Sequence, residues 1–487
     1  MVRVDIKQQA ARGVLWSAVG TWGQQLGTFL VFAVLARLLS PAAFGLVALA
    51  TVFTAFVKIL AEQGLVDAVI QRPEIDERDL DTAFWANLAV SVMLAGILSA
   101  VAPAIAAVMG QPLLGPVLAA LSLGIVVAAF SGVQRAILAR DLAFSSLTLR
   151  TLISVTVGSI AGVTAAVLGA GVWSLVILNL STEAAGAITL WTVSDWRPRF
   201  HFSFQRLRSL TSFGLNIVGF KILNFLNRRS DDLLIGYQLG AVSLGYYTIA
   251  KKLVLVMITI TTNVVGSVAF PVFSRIQGDT DTIRRGYYKA IRLTSLIAFP
   301  AFVGMAAAAP ELIELLFGAK WAPSVPVMRI FAVVGLIQSV LFVPGIAMKA
   351  LGKPSWRLGI ATLITVATLG TIFVTVQWGI VAVAAGLAFV NLVLAPLTLV
   401  AARKLVGADA WTMARQIIPA LAASIVMAAV VLALGYLLED VRLILQVLTM
   451  VAAGMVAYVL VLWVIARPLV GEALDLARLA LRRTPAP

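Results

Sequence analysis

Between Lys221 and Asp232 the chain carries Lys221, Asn224, Asn227, Arg228, Arg229, Asp231 and Asp232 inside a predominantly apolar run from about Leu210 to Leu239. At about 1.5 Å per residue this run is long enough to cross a bilayer with some tilt. At about 100° per residue Lys221, Arg228 and Asp232 share one helix face, Asn224 and Asp231 lie beside it, and Arg229 points to the flank. Each charge at mid-membrane costs roughly 2.5–3.5 kcal/mol, so the stripe must face protein or water. Two roles suit it. Arg228 meets Asp231 at i+3 and Asp232 at i+4, which would merely neutralise the cluster. Alternatively, guanidinium forks and lysine ammonium groups lining a water-filled space would bind phosphate oxygens or an acidic sugar. The first role accounts for neither Lys221 nor Arg229.

The elements that must position this stripe follow from hydropathy. Of 487 residues, 61% are hydrophobic and 12% charged, and the mean hydropathy is +1.00. Apolar runs of membrane-spanning length recur from Val14 to Ala466 without a long polar interruption or a strand-like alternation. The expected fold is therefore all-α, a polytopic bundle of fourteen transmembrane helices. The charged start, Met1–Arg12, leads into a helix expected to stay in the mature protein. With both termini cytoplasmic, most of the 37 basic residues fall on the inner side and only Arg37, Lys320, Arg329 and Arg442 on the outer. The net charge of +15 thus follows membrane topology and predicts no nucleic-acid partner.

An internal repeat organises the helices. Leu38–Leu46 aligns with Gln238–Tyr246, setting Gly45 against Gly245, and Gly171–Leu175 aligns with Gly379–Val383. Six helices repeat as six, which predicts two pseudo-symmetric lobes related by an axis along the membrane normal, with a cavity between them. The lobes are expected at 1–195 and 209–404, joined by a basic cytoplasmic linker at 196–208. The segment 405–487 adds a helix pair and a tail. Linker residues Asp195–His201 owe their charge to topology or to anionic headgroups.

Other polar residues complete a candidate cavity. Arg228, Asp231, Lys251, Lys252 and Glu183 all lie about 12–17 Å from the outer helix ends, a net cationic layer with Lys221 and Arg229. On the first helix Gln24 and Gln25, with Thr21 and Thr28, would bind sugar hydroxyls or serve helix packing. Lys58 and Glu62, at i and i+4, read as a self-paired gate. Asp231, Asp232 and Glu183 are candidates to couple movement to a proton or sodium ion, or else to neutralise the nearby cations. The acidic run Glu74, Asp76, Glu77, Asp79, Asp81 reads as a solvated cytoplasmic loop. Cysteine is absent and His201 is the lone histidine, so neither a metal site nor a cofactor is expected.

The segment Leu315-Leu316-Phe317-Gly318-Ala319-Lys320-Trp321-Ala322-Pro323 resembles the "LLFG-x-KW-x-P" turn of bacterial polysaccharide exporters of the Wzx type, within the multidrug/oligosaccharidyl-lipid/polysaccharide superfamily. Asp232–Gly240, Leu244–Tyr247, Phe270-Pro271 and Ala139–Phe144 extend the resemblance over nearly the whole chain, with the colanic acid and lipopolysaccharide exporters most similar in character. The resemblance implies a flippase that moves an undecaprenyl-diphosphate-linked oligosaccharide across the bacterial cytoplasmic (inner) membrane. It implies a cationic cavity corresponding here to Arg228, Arg229, Lys251 and Lys252, action as a monomer among membrane lipids, and a polymerase and chain-length regulator as partners.

Two rivals stand against this expectation. A cation-coupled drug exporter of the same superfamily would want an acidic cavity, opposite in sign to the layer above. A membrane oligosaccharide polymerase, ligase or glycosyltransferase would want a catalytic extramembrane loop, whereas the longest outer loop, around Ala309–Pro323, carries only Glu311 and Glu314.

Overall fold

The computed structural model describes residues 23–62, 65–72, 75–275 and 279–467. The chain divides into two compact units, Met1–Thr248 and Ile249–Pro487.

The first unit holds α1 (Gly23–Leu38) and α2 (Pro41–Glu62), α3 (Leu65–Gln71), α4 (Glu77–Val108), α5 (Leu114–Ala129), α6 (Gly132–Arg140), α7 (Phe144–Val167), α8 (Val172–Val193) and α9 (Phe204–Gln238). It ends within α10 (Gly240–Arg275). The second unit continues through α11 (Thr280–Ala307), α12 (Ala309–Phe317), α13 (Val325–Ala350), α14 (Pro354–Thr375), α15 (Ile380–Val406), α16 (Ala410–Leu437) and α17 (Leu443–Ile465). Among the described residues eleven helices are long and apolar enough to cross a membrane, or twelve if α5 and α6, bent by 41°, form one span. This is fewer than the fourteen expected. The first helix is described only from Gly23, and α9 is interrupted by its own charges.

The repeat has a structural counterpart within the first unit. A Cβ built on Gly45 would lie 1.7 Å from the carbonyl oxygen of Ala241, and one on Gly245 would lie 2.0 Å from that of Pro41. The two helix starts therefore cross backbone to backbone, and only glycine permits that approach. The second matched pair behaves alike: Gly171 (φ +57°) and Gly379 (φ +94°) each precede a helix, α8 and α15, in left-handed backbone.

At the start of α4 the acidic run departs from expectation. Glu74 lies outside the described residues. Asp76 caps the helix in a capping box with Asp79, and Glu77, Asp79 and Asp81 belong to α4. Carboxylates suit this position, where they face the unsatisfied N–H groups and the positive end of the helix dipole. The basic linker is laid along them. The Arg199 amide donates to Asp81 Oδ1 at 2.9 Å, the Arg199 guanidinium meets Glu77 at 2.7 Å, and Arg206 meets Asp76 at 2.6 Å and Asp79 at 2.8 Å. Phe200 stacks on Trp85 with centroids 4.8 Å apart. The run is a docking strip, not a solvated loop.

In the second unit, Phe273, Tyr287, Ile291 and Val343 form one buried cluster. The helix pair α16–α17 packs through Met427, Val431, Met450 and Tyr458 into another. The segment read as the longest outer loop is largely ordered as α12. Gly318, at φ +99°, stops that helix, and its amide bonds back to Ile313 and Glu314. Phe317 and Trp321 on either side are fully buried, so the turn motif is an anchoring device.

Candidate functional site

The stripe on α9 divides into two halves. Ser230, Asp231, Asp232 and Ile235 are buried, whereas Asn224, Asn227 and Arg228 are exposed and Lys221 and Arg229 half-buried. Gly236 lets α9 pack against Leu49 of α2, since a Cβ there would come within 2.7 Å of its Cδ1. That approach buries the acidic end of the stripe. The buried carboxylates have partners: Tyr247 donates to Asp231 Oδ2 at 2.6 Å, and Arg229 lies 3.1 Å from Asp232. Arg228 Nε donates to Asn224 Oδ1 at 3.3 Å. Burying a carboxylate is tolerable only with such bonds. Tyr247 was not expected at the site. Its place one helix on, in the Leu244–Tyr247 segment beside two membrane-embedded aspartates, was the available signal.

A second cluster gathers near the end of α2. Lys58 lies 3.0 Å from Glu183 of α8, which Arg150 of α7 approaches at 3.9 Å. Glu62 lies 3.4 Å from Lys221 of α9 and 3.8 Å from Arg135 of α6. The expected self-paired gate Lys58–Glu62 is therefore not formed. Each member has a cross-helix partner instead, because neighbouring helices bring an opposite charge nearer than the next turn does. Glu183 correspondingly belongs to this cluster and not to a layer with Arg228. The cluster holds four cations and two carboxylates, so it is net cationic.

The remaining candidates lie apart. Gln24 is exposed and Gln25 half-buried on α1, and Thr21 lies outside the described residues. Lys251 and Lys252 are half-buried on the portion of α10 in the second unit. The arrangement in the first unit offers guanidinium and ammonium donors on membrane helices, which suits oxyanions carrying more than one oxygen.

A family model described as "Polysaccharide biosynthesis protein" matches residues 34–326. The chain belongs to this polysaccharide biosynthesis protein family. It is similar to the lipopolysaccharide biosynthesis protein WzxC of Escherichia coli K12, 30% identical over 69% of each chain. It is likewise similar to the succinoglycan biosynthesis transport protein ExoT of Rhizobium meliloti, 29% identical over 74% of this chain and 73% of ExoT. In fold it resembles the lipid II flippase MurJ in an inward closed conformation, with a TM-score of 0.75 at 13% identity over 94% of this chain and all of MurJ. It also resembles an inward-facing multidrug resistance MATE transporter, with a TM-score of 0.59 at 17% identity over 79% and 94%. Like the rest of the polysaccharide biosynthesis protein family described here, the chain is a polytopic membrane transporter and not an enzyme.

Proposed function

We propose that this protein flips an undecaprenyl-diphosphate-linked oligosaccharide from the inner to the outer leaflet of the bacterial cytoplasmic membrane, by alternating access, with both termini in the cytoplasm. One observation carries the reading: basic side chains on membrane helices remain half-buried or exposed while the neighbouring aspartates are buried and already bonded. Such a site has cationic groups to offer a diphosphate and little to offer a cationic drug, which is the reading that the MATE-like fold alone would favour. The names of WzxC, ExoT and the lipid II flippase support the same chemistry.

In this mechanism Arg228 and Arg229, with Lys251 and Lys252, hold the diphosphate. Asn224, Gln24 and Gln25 meet sugar hydroxyls, and the prenyl tail stays in lipid. Asp231 and Asp232 are the groups to bind a proton or sodium ion as the site changes sides. Glu183 is already committed to Lys58 and Arg150. A polymerase and a chain-length regulator would receive the product on the outer face.

The test is flipping of a lipid-diphosphate oligosaccharide in proteoliposomes, wild type against Arg228→Ala/Arg229→Ala, with folding checked in detergent. Loss of flipping in the folded double variant supports the headgroup site. Equal flipping assigns the two arginines to structure, and absence of flipping by the wild type overturns the substrate.

A further inference from the structure

Near the end of α2 the first unit contains an open recess of about 250 Å³, lined among others by Lys58, Glu62, Asn87, Ser91 and Arg135. Its wall includes the break between α5 and α6, where the helix axis turns by 41°. A break inside a membrane span frees backbone carbonyls, and those here are taken up by side chains. Asn87 Nδ2 donates to Ala129 O at 3.3 Å and Trp191 Nε1 to Phe130 O at 2.8 Å. Discontinuous helices of this kind line binding sites in transporters.

We propose that this recess is a binding site for a glycosyl phosphate, in which Glu62 is a resident counter-ion that the ligand's phosphate displaces. The inference rests on the flippase reading for the identity of its natural ligand, the phosphate and first sugar of the lipid-linked oligosaccharide. The recess is a station separate from Arg228 and Arg229.

Three observations converge on it. Glu62 is shared between two cations from different helices, at 3.4 Å from Lys221 and 3.8 Å from Arg135. Good charge-assisted bonds are about 2.7–2.9 Å long, and Lys58–Glu183 next to it reaches 3.0 Å. One carboxylate thus spans two cations without binding either closely. A phosphate, with more oxygens and more charge, can satisfy both. Glu62, Lys221 and Arg135 also keep 26%, 29% and 43% of their side-chain surface open, so the exchange needs no unfolding. Finally, the floor is built of polar atoms awaiting partners. Asn87 and Ser91 are 3% and 1% exposed, yet Asn87 Oδ1 and Ser91 Oγ have no hydrogen-bond partner. Buried polar atoms are rarely left so.

The donor and acceptor pattern selects the ligand. Arg135, Lys221 and the Ser91 hydroxyl donate to phosphate oxygens. Asn87 Oδ1 only accepts, so it calls for a hydroxyl beside the phosphate, which a sugar provides and a bare alkyl phosphate lacks. Glu62 also has a kinetic consequence. When the ligand leaves, the carboxylate returns to the two cations, so release does not strand them unpaired in a partly buried site.

The test measures binding of farnesyl-diphosphoglucose to the purified full-length protein in detergent. Wild type is compared with Glu62→Gln, Glu62→Ala, Glu62→Asp and Arg135→Ala/Lys221→Ala, each checked for folding by size exclusion. Removing a competing carboxylate from two partly exposed pairs is expected to lower Kd about three- to tenfold in Glu62→Gln and Glu62→Ala, while Glu62→Asp keeps the wild-type value. Arg135→Ala/Lys221→Ala is expected to raise Kd at least about tenfold. Unchanged or weaker binding in both neutral Glu62 variants overturns the proposal, as does unchanged binding in the double variant. Flipping is assayed in parallel. If the wild type flips the lipid-linked oligosaccharide but does not bind the probe, this site falls and the flippase reading stands. If the Glu62 effects appear while no flipping occurs, the site stands and the flippase reading falls.

Discussion

The Lys58 ammonium lies 3.0 Å from the Glu183 carboxylate, joining α2 to α8 across 125 residues of sequence. Both side chains keep about a third of their surface open, so the pair sits between a surface ion pair and a buried one. A double-mutant cycle on Lys58→Ala and Glu183→Ala, read by thermal unfolding in detergent, is expected to give a coupling of about 1–2 kcal/mol. The swapped protein, Lys58→Glu with Glu183→Lys, should be more stable than either single swap. A coupling near zero would show that the two side chains are held independently.

The hydrogen bond from Tyr247 to Asp231 gives a second prediction. Tyr247→Phe removes only the hydroxyl and leaves a buried carboxylate oxygen without its donor, at a cost of about 1–3 kcal/mol. Asp231→Asn in the Tyr247→Phe background should recover part of that loss, because a neutral amide is easier to bury. If Asp231 couples flipping to an ion, Asp231→Asn also removes the dependence of flipping on the imposed gradient. A stability equal to wild type in Tyr247→Phe would contradict the bond.

Docking of the linker on α4 has a definite pH dependence. The hydrogen bond from Arg206 holds the Asp76 carboxyl below the ordinary carboxylate range. A group whose folded pKa is lowered contributes stability that is complete above its unfolded pKa, about 3.9, and is lost as pH falls through the folded value. The linker should therefore stay docked at pH 5 and detach only below about pH 4. Tryptophan fluorescence, dominated in this region by Trp85 and Trp196, would report detachment. In Asp76→Asn the acid transition attributable to this contact should disappear, with the docked linker less stable at neutral pH.

Glycine substitutions separate packing from propensity. Gly45→Ala and Gly245→Ala each place a methyl group within 2.0 Å or less of a backbone oxygen, which no rotamer can relieve. A loss of about 3 kcal/mol or more, or failure to accumulate folded protein, is expected. Gly370→Ala on α14 meets nothing within 4 Å and should be neutral or stabilising by up to about 1 kcal/mol. Yield and unfolding temperature in detergent would check all three.

Much of the fold was legible because hydropathy sets where a helix can lie in a membrane, and glycines recur at equivalent places in the repeat. The partnerships of charges were less so. Spacing along one helix pointed Lys58 to Glu62, yet the packing of α8, α6 and α9 against α2 brought Glu183, Arg135 and Lys221 closer. The same holds for Asp81, whose linker partners lie more than a hundred residues away. Helix capping was available locally, since Asp76 and Asp79 have the spacing of a capping box, but their charge drew the reading toward solvent. Tyr247 was hidden because its role depends on how α10 turns back against α9 after Gly240 (φ +78°).

The reciprocal approach of Gly45 and Gly245 ties the two copies of the repeat together in how they can change. At an ordinary interface, a larger residue on one side is accommodated by a smaller one opposite. Here each glycine faces a carbonyl of the other copy, an atom present whatever residue stands there. No substitution at Ala241 makes room for a side chain at Gly45, and none at Pro41 makes room at Gly245. While the rest of each copy is free to diverge in side chains, this crossing admits no second-site suppressor except a shift of the backbone itself.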